Sequence, residues 1–157
     1  MRNKLIYFGA LFLLMLVTGV FWGTWFTLTR SIPSFSGAEF MHIGQVIISN
    51  VAMPMAIITP AAILSMIISL WVNRKNRSLG FYFGIVSFAL IILVLLITLT
   101  ILVPIDNQIK YWRVESIPEN WPAIRDKWEN FHMIRTMASL LSYGSYSLFI
   151  LTLKERL

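Results

Sequence analysis

The spacing of the charges is what most restricts this chain. Residues 5–29, 40–73, 78–105 and 136–153 contain no Asp, Glu, Lys or Arg. A helix that crosses a bilayer needs roughly 20 mostly apolar residues, so each run is long enough, the last one barely. With 57% apolar residues overall, little chain remains for a soluble module. The expectation is one all-α domain over residues 1–157, an integral-membrane antiparallel four-helix bundle with helices at about 5–29, 37–72, 79–103 and 121–153. Arg2 and Lys4 ahead of an apolar run resemble a signal peptide. The run lasts 25 residues and has no small-residue cleavage site, which predicts a retained helix.

Orientation follows from the charge distribution. The N-terminus, the loop after the second run and the C-terminus carry Arg2, Lys4, Arg74, Lys75, Arg77, Lys154 and Arg156 against Glu155 alone. The connections on the other side carry six basic and six acidic residues. The whole net charge of +6 thus falls on one face, which the positive-inside rule makes cytoplasmic. A multi-pass protein of the cell inner membrane is expected, with both termini in the cytoplasm. The basic residues are scattered over loops and termini, so the lipid bilayer, and not nucleic acid, is the expected partner. The chain has no cysteine, which excludes disulfides, thiol redox motifs and Cys-ligated metals.

Gly19 and Gly23 form a G-x-x-x-G, repeated by Gly80 and Gly84; both predict close intramolecular helix packing. Trp22 and Trp25 face similar directions and serve either as interfacial anchors or as pocket lining. Ser36 and Glu39 fit a capping box at the start of helix 2. Helices 2 and 4 are too long for the hydrocarbon core and are expected to extend beyond the outer face. Pro54 and Pro60 interrupt helix 2 and either curve it or open space. Pro104 is expected to end helix 3, and Pro122 falls in the first turn of helix 4.

Helix 4 changes character halfway. WPAIRDKWENFHMIR is charged, and the following TMASLLSYGSYSLFILTL is not. Trp121, Arg125, Trp128, His132 and Arg135 fall on one helical stripe. Arg135 marks the boundary, where an ionisable group is costly without a partner or water. Helix direction brings these residues to the same end as Trp22, Trp25, His42, Gln45, Asn50, Asp106, Asn107 and Tyr111. Three uses of this cluster compete. His132 acts as acid or base, oriented by Asp106 or Glu129, with Arg135 holding an anion. Alternatively His42 and His132 ligate a haem or metal, a weak set without a carboxylate motif. Or the polar groups pair among themselves and cap the bundle of a non-catalytic membrane subunit or carrier. A homo-oligomer or larger membrane complex is compatible with each.

The motifs PIDNQIKYW at 104–112 and W-x6-W-x3-H-x2-R at Trp121, Trp128, His132 and Arg135, with TGVFWGTW in helix 1 and GQVIISNVAMPM in helix 2, are similar to one family. Over nearly the whole chain the sequence resembles the anthrone-oxygenase-like family of small four-helix membrane proteins. The resemblance implies a lipophilic aromatic substrate, ionisation of its phenol-like group and reaction with O₂, with no metal or other cofactor. It implies Asn107, His132 and Arg135 as catalytic residues, Arg135 and Asn107 holding the substrate oxygen, and Trp22, Trp25 and Trp128 stacking on the ring. Gln45, Asn50 and Arg125 complete the candidate ligand-binding set.

Overall fold

A computed structural model describes residues 2–75 and 77–153. The charges of Lys154, Glu155 and Arg156 lie outside the described residues. The fold is all-helical: α1 (Arg2–Thr27), a 3₁₀ segment (Thr29–Ser34), α2 (Gly37–Asn73), α3 (Leu79–Ile97), a π turn (Thr98–Leu102), α4 (Val103–Lys110) and α5 (Trp121–Thr152). Each long helix packs on its sequence neighbours, α1 on α2 and α2 on α3, and α5 closes the ring against α3 and α1. The result is an up-and-down four-helix bundle.

Three helices are long and apolar enough to cross a membrane, within residues 4–34, 37–73 and 79–110. Large apolar side chains such as Leu5, Phe8, Met53, Leu64 and Leu96 are exposed on the outside of the bundle, as lipid contact requires. This is a membrane protein. The fourth helix, α5, falls short of that apolar standard because Ser139, Ser142 and Tyr146 dilute it. All three are buried against the other helices, so lipid does not meet their polar atoms. Ser87 Oγ donates to the carbonyl of Ser142 at 2.7 Å, Ser142 Oγ donates to that of Ser87 at 2.8 Å, and Tyr146 donates to Ser69 Oγ at 2.8 Å.

Local chemistry explains most boundaries. At the start of α2, Glu39 accepts from the Ser36 backbone N–H at 2.8 Å, and the Glu39 N–H reaches Ser36 Oγ at 3.4 Å, which completes the expected capping box. At about 1.5 Å per residue α2 is about 55 Å long, beyond the thickness of a hydrocarbon core. The G-x-x-x-G pairs differ from each other. Gly80 and Gly84 are buried, and a Cβ on Gly84 would meet Leu70 at 2.8 Å and Phe149 at 3.2 Å. Gly19 and Gly23 have nothing within 4 Å of an added Cβ, so the packing expected of them is absent.

Pro104 does not end the third crossing. The helix continues to Lys110 through the π turn, in which the Val103 N–H reaches the Thr98 carbonyl. The wider turn holds one more residue than an α turn. It accommodates a proline ring that would meet the carbonyl four residues back in a regular helix.

Candidate functional site

Two apolar cores fill the bundle. One centres on Leu14, Phe21, Met66 and Phe149, the other on Phe40, Leu102, Ile109 and Trp128. Between them lies a cavity of about 460 Å³, walled by α1, α2, the π turn, α4 and α5. Ligand pockets are typically of this size. Its wall is largely apolar, interrupted by Thr24, Thr59 and Thr98 and by a group of polar side chains at one end. Ala52, Ala56 and Pro60 of α2 and Leu99 and Val103 across from them line it and are also exposed, so the wall is open between α2 and the π turn.

The charged half of α5 supplies the polar end. Trp128, His132 and Arg135 sit at i, i+4 and i+7 and face one side. They are 0%, 6% and 8% exposed, and all three line the cavity. The Trp128 and His132 rings lie 3.9 Å apart. The Arg135 guanidinium sits 4.0 Å from the Phe21 ring centroid, and its Nη2 is 3.0 Å from His132 Nδ1. A guanidinium only donates, so Nδ1 accepts and the ring proton lies on Nε2. His132 Nε2 and Arg135 Nε are buried and have no hydrogen-bond partner among the described residues. A buried unsatisfied donor costs about 1–3 kcal/mol, and the two residues that carry these donors both line the cavity.

Asp106 of α4 is half-buried in the same wall. Its Oδ1 accepts from Trp128 Nε1 at 2.8 Å. This replaces the expected orientation of His132 by Asp106 or Glu129, because Arg135 engages the imidazole and Asp106 engages the indole. Glu129 is outside the lining. Burial first, and the neighbouring Asp126 second, push its carboxyl above the usual range.

The other expected site residues lie elsewhere. Asn107, Asn50 and His42 are exposed and outside the lining, so His42 and His132 do not share the cavity. Gln45 donates to the carbonyls of Ile109 and Trp112, both at 3.1 Å, and thereby caps the end of α4. Arg125 pairs with Asp126 at 2.8 Å and lies over Trp121. Trp22 stacks on Phe26 and touches Trp25, with Arg30 over Trp25 and Phe26. This aromatic group is outside the lining, as interfacial anchors would be. The residues missed from sequence are Phe21 and the α2 wall, and Asp106 was expected to orient His132, not to bond Trp128. Ala52, Ala56 and Pro60 recur every four residues, a stripe of small or donor-less positions that was the available signal.

A family model described as anthrone oxygenase matches residues 40–145. The chain belongs to the anthrone oxygenase family. The match is narrower than the resemblance read from sequence, since it leaves out TGVFWGTW of α1. Comparison with curated proteins and with solved structures finds no match. The polar end of the cavity, from Asp106 to Arg135, lies wholly within the part shared with the anthrone oxygenase family, whereas Phe21 opposite Arg135 does not.

Proposed function

We propose that the cavity binds a lipophilic phenolic or quinone-like molecule and oxygenates it without a metal. The observation that carries this reading is the pair of unpartnered buried N–H groups, Arg135 Nε and His132 Nε2, on two residues that line a largely apolar cavity. They suit an oxygen that gains negative charge during reaction, since donors held ready in a low-dielectric site stabilise such charge strongly. Family membership supports an anthrone as the reacting class. Ionisation gives an enolate, with its oxygen facing the two donors. O₂ then adds at the former methylene carbon, the O–O bond breaks, one oxygen stays as the quinone carbonyl and the other leaves as water. The open wall at Ala56 and Leu99 supports entry from the bilayer, where such molecules partition.

The test is an anthrone supplied to the purified protein in mild detergent, followed by quinone absorbance and oxygen uptake. The expected result is conversion above the spontaneous rate with equimolar O₂ consumed. Binding without acceleration would reject oxygenation and leave a carrier, and no binding would reject the ligand reading itself.

The charge asymmetry supports an inner-membrane protein with cytoplasmic termini and the polar cavity end toward the opposite side. Tyr111 is exposed in the α4–α5 connection, and the chain contains no cysteine. Tyr111→Cys should therefore react with an impermeant maleimide in intact cells. Labelling only after lysis would reverse the orientation.

A further inference from the structure

The cavity holds two donors and one carboxylate. Asp106, His132 and Arg135 are the titratable groups of its lining. His132 has no free lone pair, because Nδ1 accepts from Arg135 and Nε2 carries the proton. Arg135 is a cation with donors only. Asp106 is different. One of its oxygens is held by the Trp128 N–H, and no hydrogen bond among the described residues engages the other.

We propose that Asp106 is the proton acceptor of this site, and that the ligand is an aromatic molecule bearing an acidic proton together with a carbonyl or hydroxyl oxygen. This rests on the ligand reading of the same cavity. The ligand's O–H, or the C–H of an enolisable methylene, breaks toward Asp106. The proton forms a new O–H bond on the carboxylate, and the bonding pair stays on the ligand, delocalised onto its oxygen. The site keeps its net charge. Negative charge moves from the carboxylate to an oxygen that Arg135 and His132 can hold. Trp128 is a positioning residue, since its Nε1 donates to Asp106 and its ring packs on His132. The arrangement selects ligands with both features. A hydrocarbon or an ether of the same size offers no proton to Asp106, and a carboxylic acid arrives already charged beside that carboxylate.

A hydroxyanthraquinone tests this without turnover, because its anion absorbs at longer wavelength than its neutral form. At a pH where the free probe is neutral, the wild-type protein should bind it with the anion band. Asp106→Asn is nearly isosteric and should still bind it, more weakly because the ligand is no longer held as an anion, and with the neutral band. Asp106→Glu should restore the anion band. An anion band that persists in D106N overturns the proposal while leaving the binding reading intact. A neutral band in the wild type also overturns it. No binding by the wild type rejects the ligand reading, and the proposal with it. If D106N is not recovered folded, the comparison of wild type with Trp128→Phe decides. Loss of the indole donor leaves the carboxylate a stronger base and should strengthen the anion band, and an unchanged or weaker band overturns the proposal.

Discussion

Replacing Arg135 with methionine should weaken ligand binding by about two orders of magnitude while leaving the bundle as stable as before, because hydrogen bonds to charged groups are each worth about 1.5–3 kcal/mol. Arg135 is 8% exposed, rests on Phe21 and has an unpartnered Nε in the cavity wall. A buried guanidinium costs several kcal/mol of desolvation, and the gain on replacing it with methionine is reduced because Asp106 in the same wall loses its compensating cation. Against that gain stands His132 Nδ1, which loses its donor, at about 1–3 kcal/mol. The two effects nearly offset each other in folding and act in the same direction in binding. Thermal unfolding in detergent and titration with the hydroxyanthraquinone separate them. A variant that loses its cooperative unfolding would make Arg135 a structural partner instead.

The second large effect concerns glycine. Gly84→Leu should prevent recovery of a monodisperse protein, whereas Gly19→Leu should behave as wild type. At Gly84 even a Cβ meets the Leu70 side chain of α2 at 2.8 Å and the Phe149 ring of α5 at 3.2 Å, so three further carbons must displace both. Overpacking of this kind costs about 1–3 kcal/mol and sometimes more. The α3–α5 pair is the most extensive helix contact in the bundle, so the cost falls where it does most harm. Gly19 is exposed with open space around it, and substitutions in such places stay within about 0.5 kcal/mol. Size-exclusion profiles of the two variants, prepared side by side, give the answer. Equal loss in both would mean that Gly19 also faces a helix.

The helices were legible because charge-free runs end where the chain leaves lipid. The expected start of α2 and its end near residue 72 agree with Gly37–Asn73. The capping box was readable because it needs only local residues. What sequence could not separate was the buried face from the lipid face. When a helix is apolar all round, periodicity carries no contrast, and Gly19 and Gly84 look alike. Pro104 looked like a stop because the π turn that accommodates it has no sequence signature, so Asp106 was placed in a connection and not on a helix. In α5 the charged half restores contrast, so Trp128, His132 and Arg135 stood out as one stripe. Their outer companions on that stripe, Trp121 and Arg125, instead stack on each other. Asn50 and His42 stood out by polarity alone and Asn107 also by the family resemblance, and all three are exposed.

The buried positions of the third crossing run Gly84, Ser87, Ile91, Val94 and Ile97, then Leu102, Ile105 and Ile109. One step spans five residues where the others span three or four, and it straddles the π turn. The turn therefore acts as a register buffer. Deleting a single residue there would turn the long step into an ordinary one and leave both halves of the helix facing the bundle. The same deletion anywhere else in this helix would swing one half around the axis by about 100°, carrying Asp106 off the cavity wall. Chain length is thus negotiable at one point in this crossing, a few residues before the carboxylate.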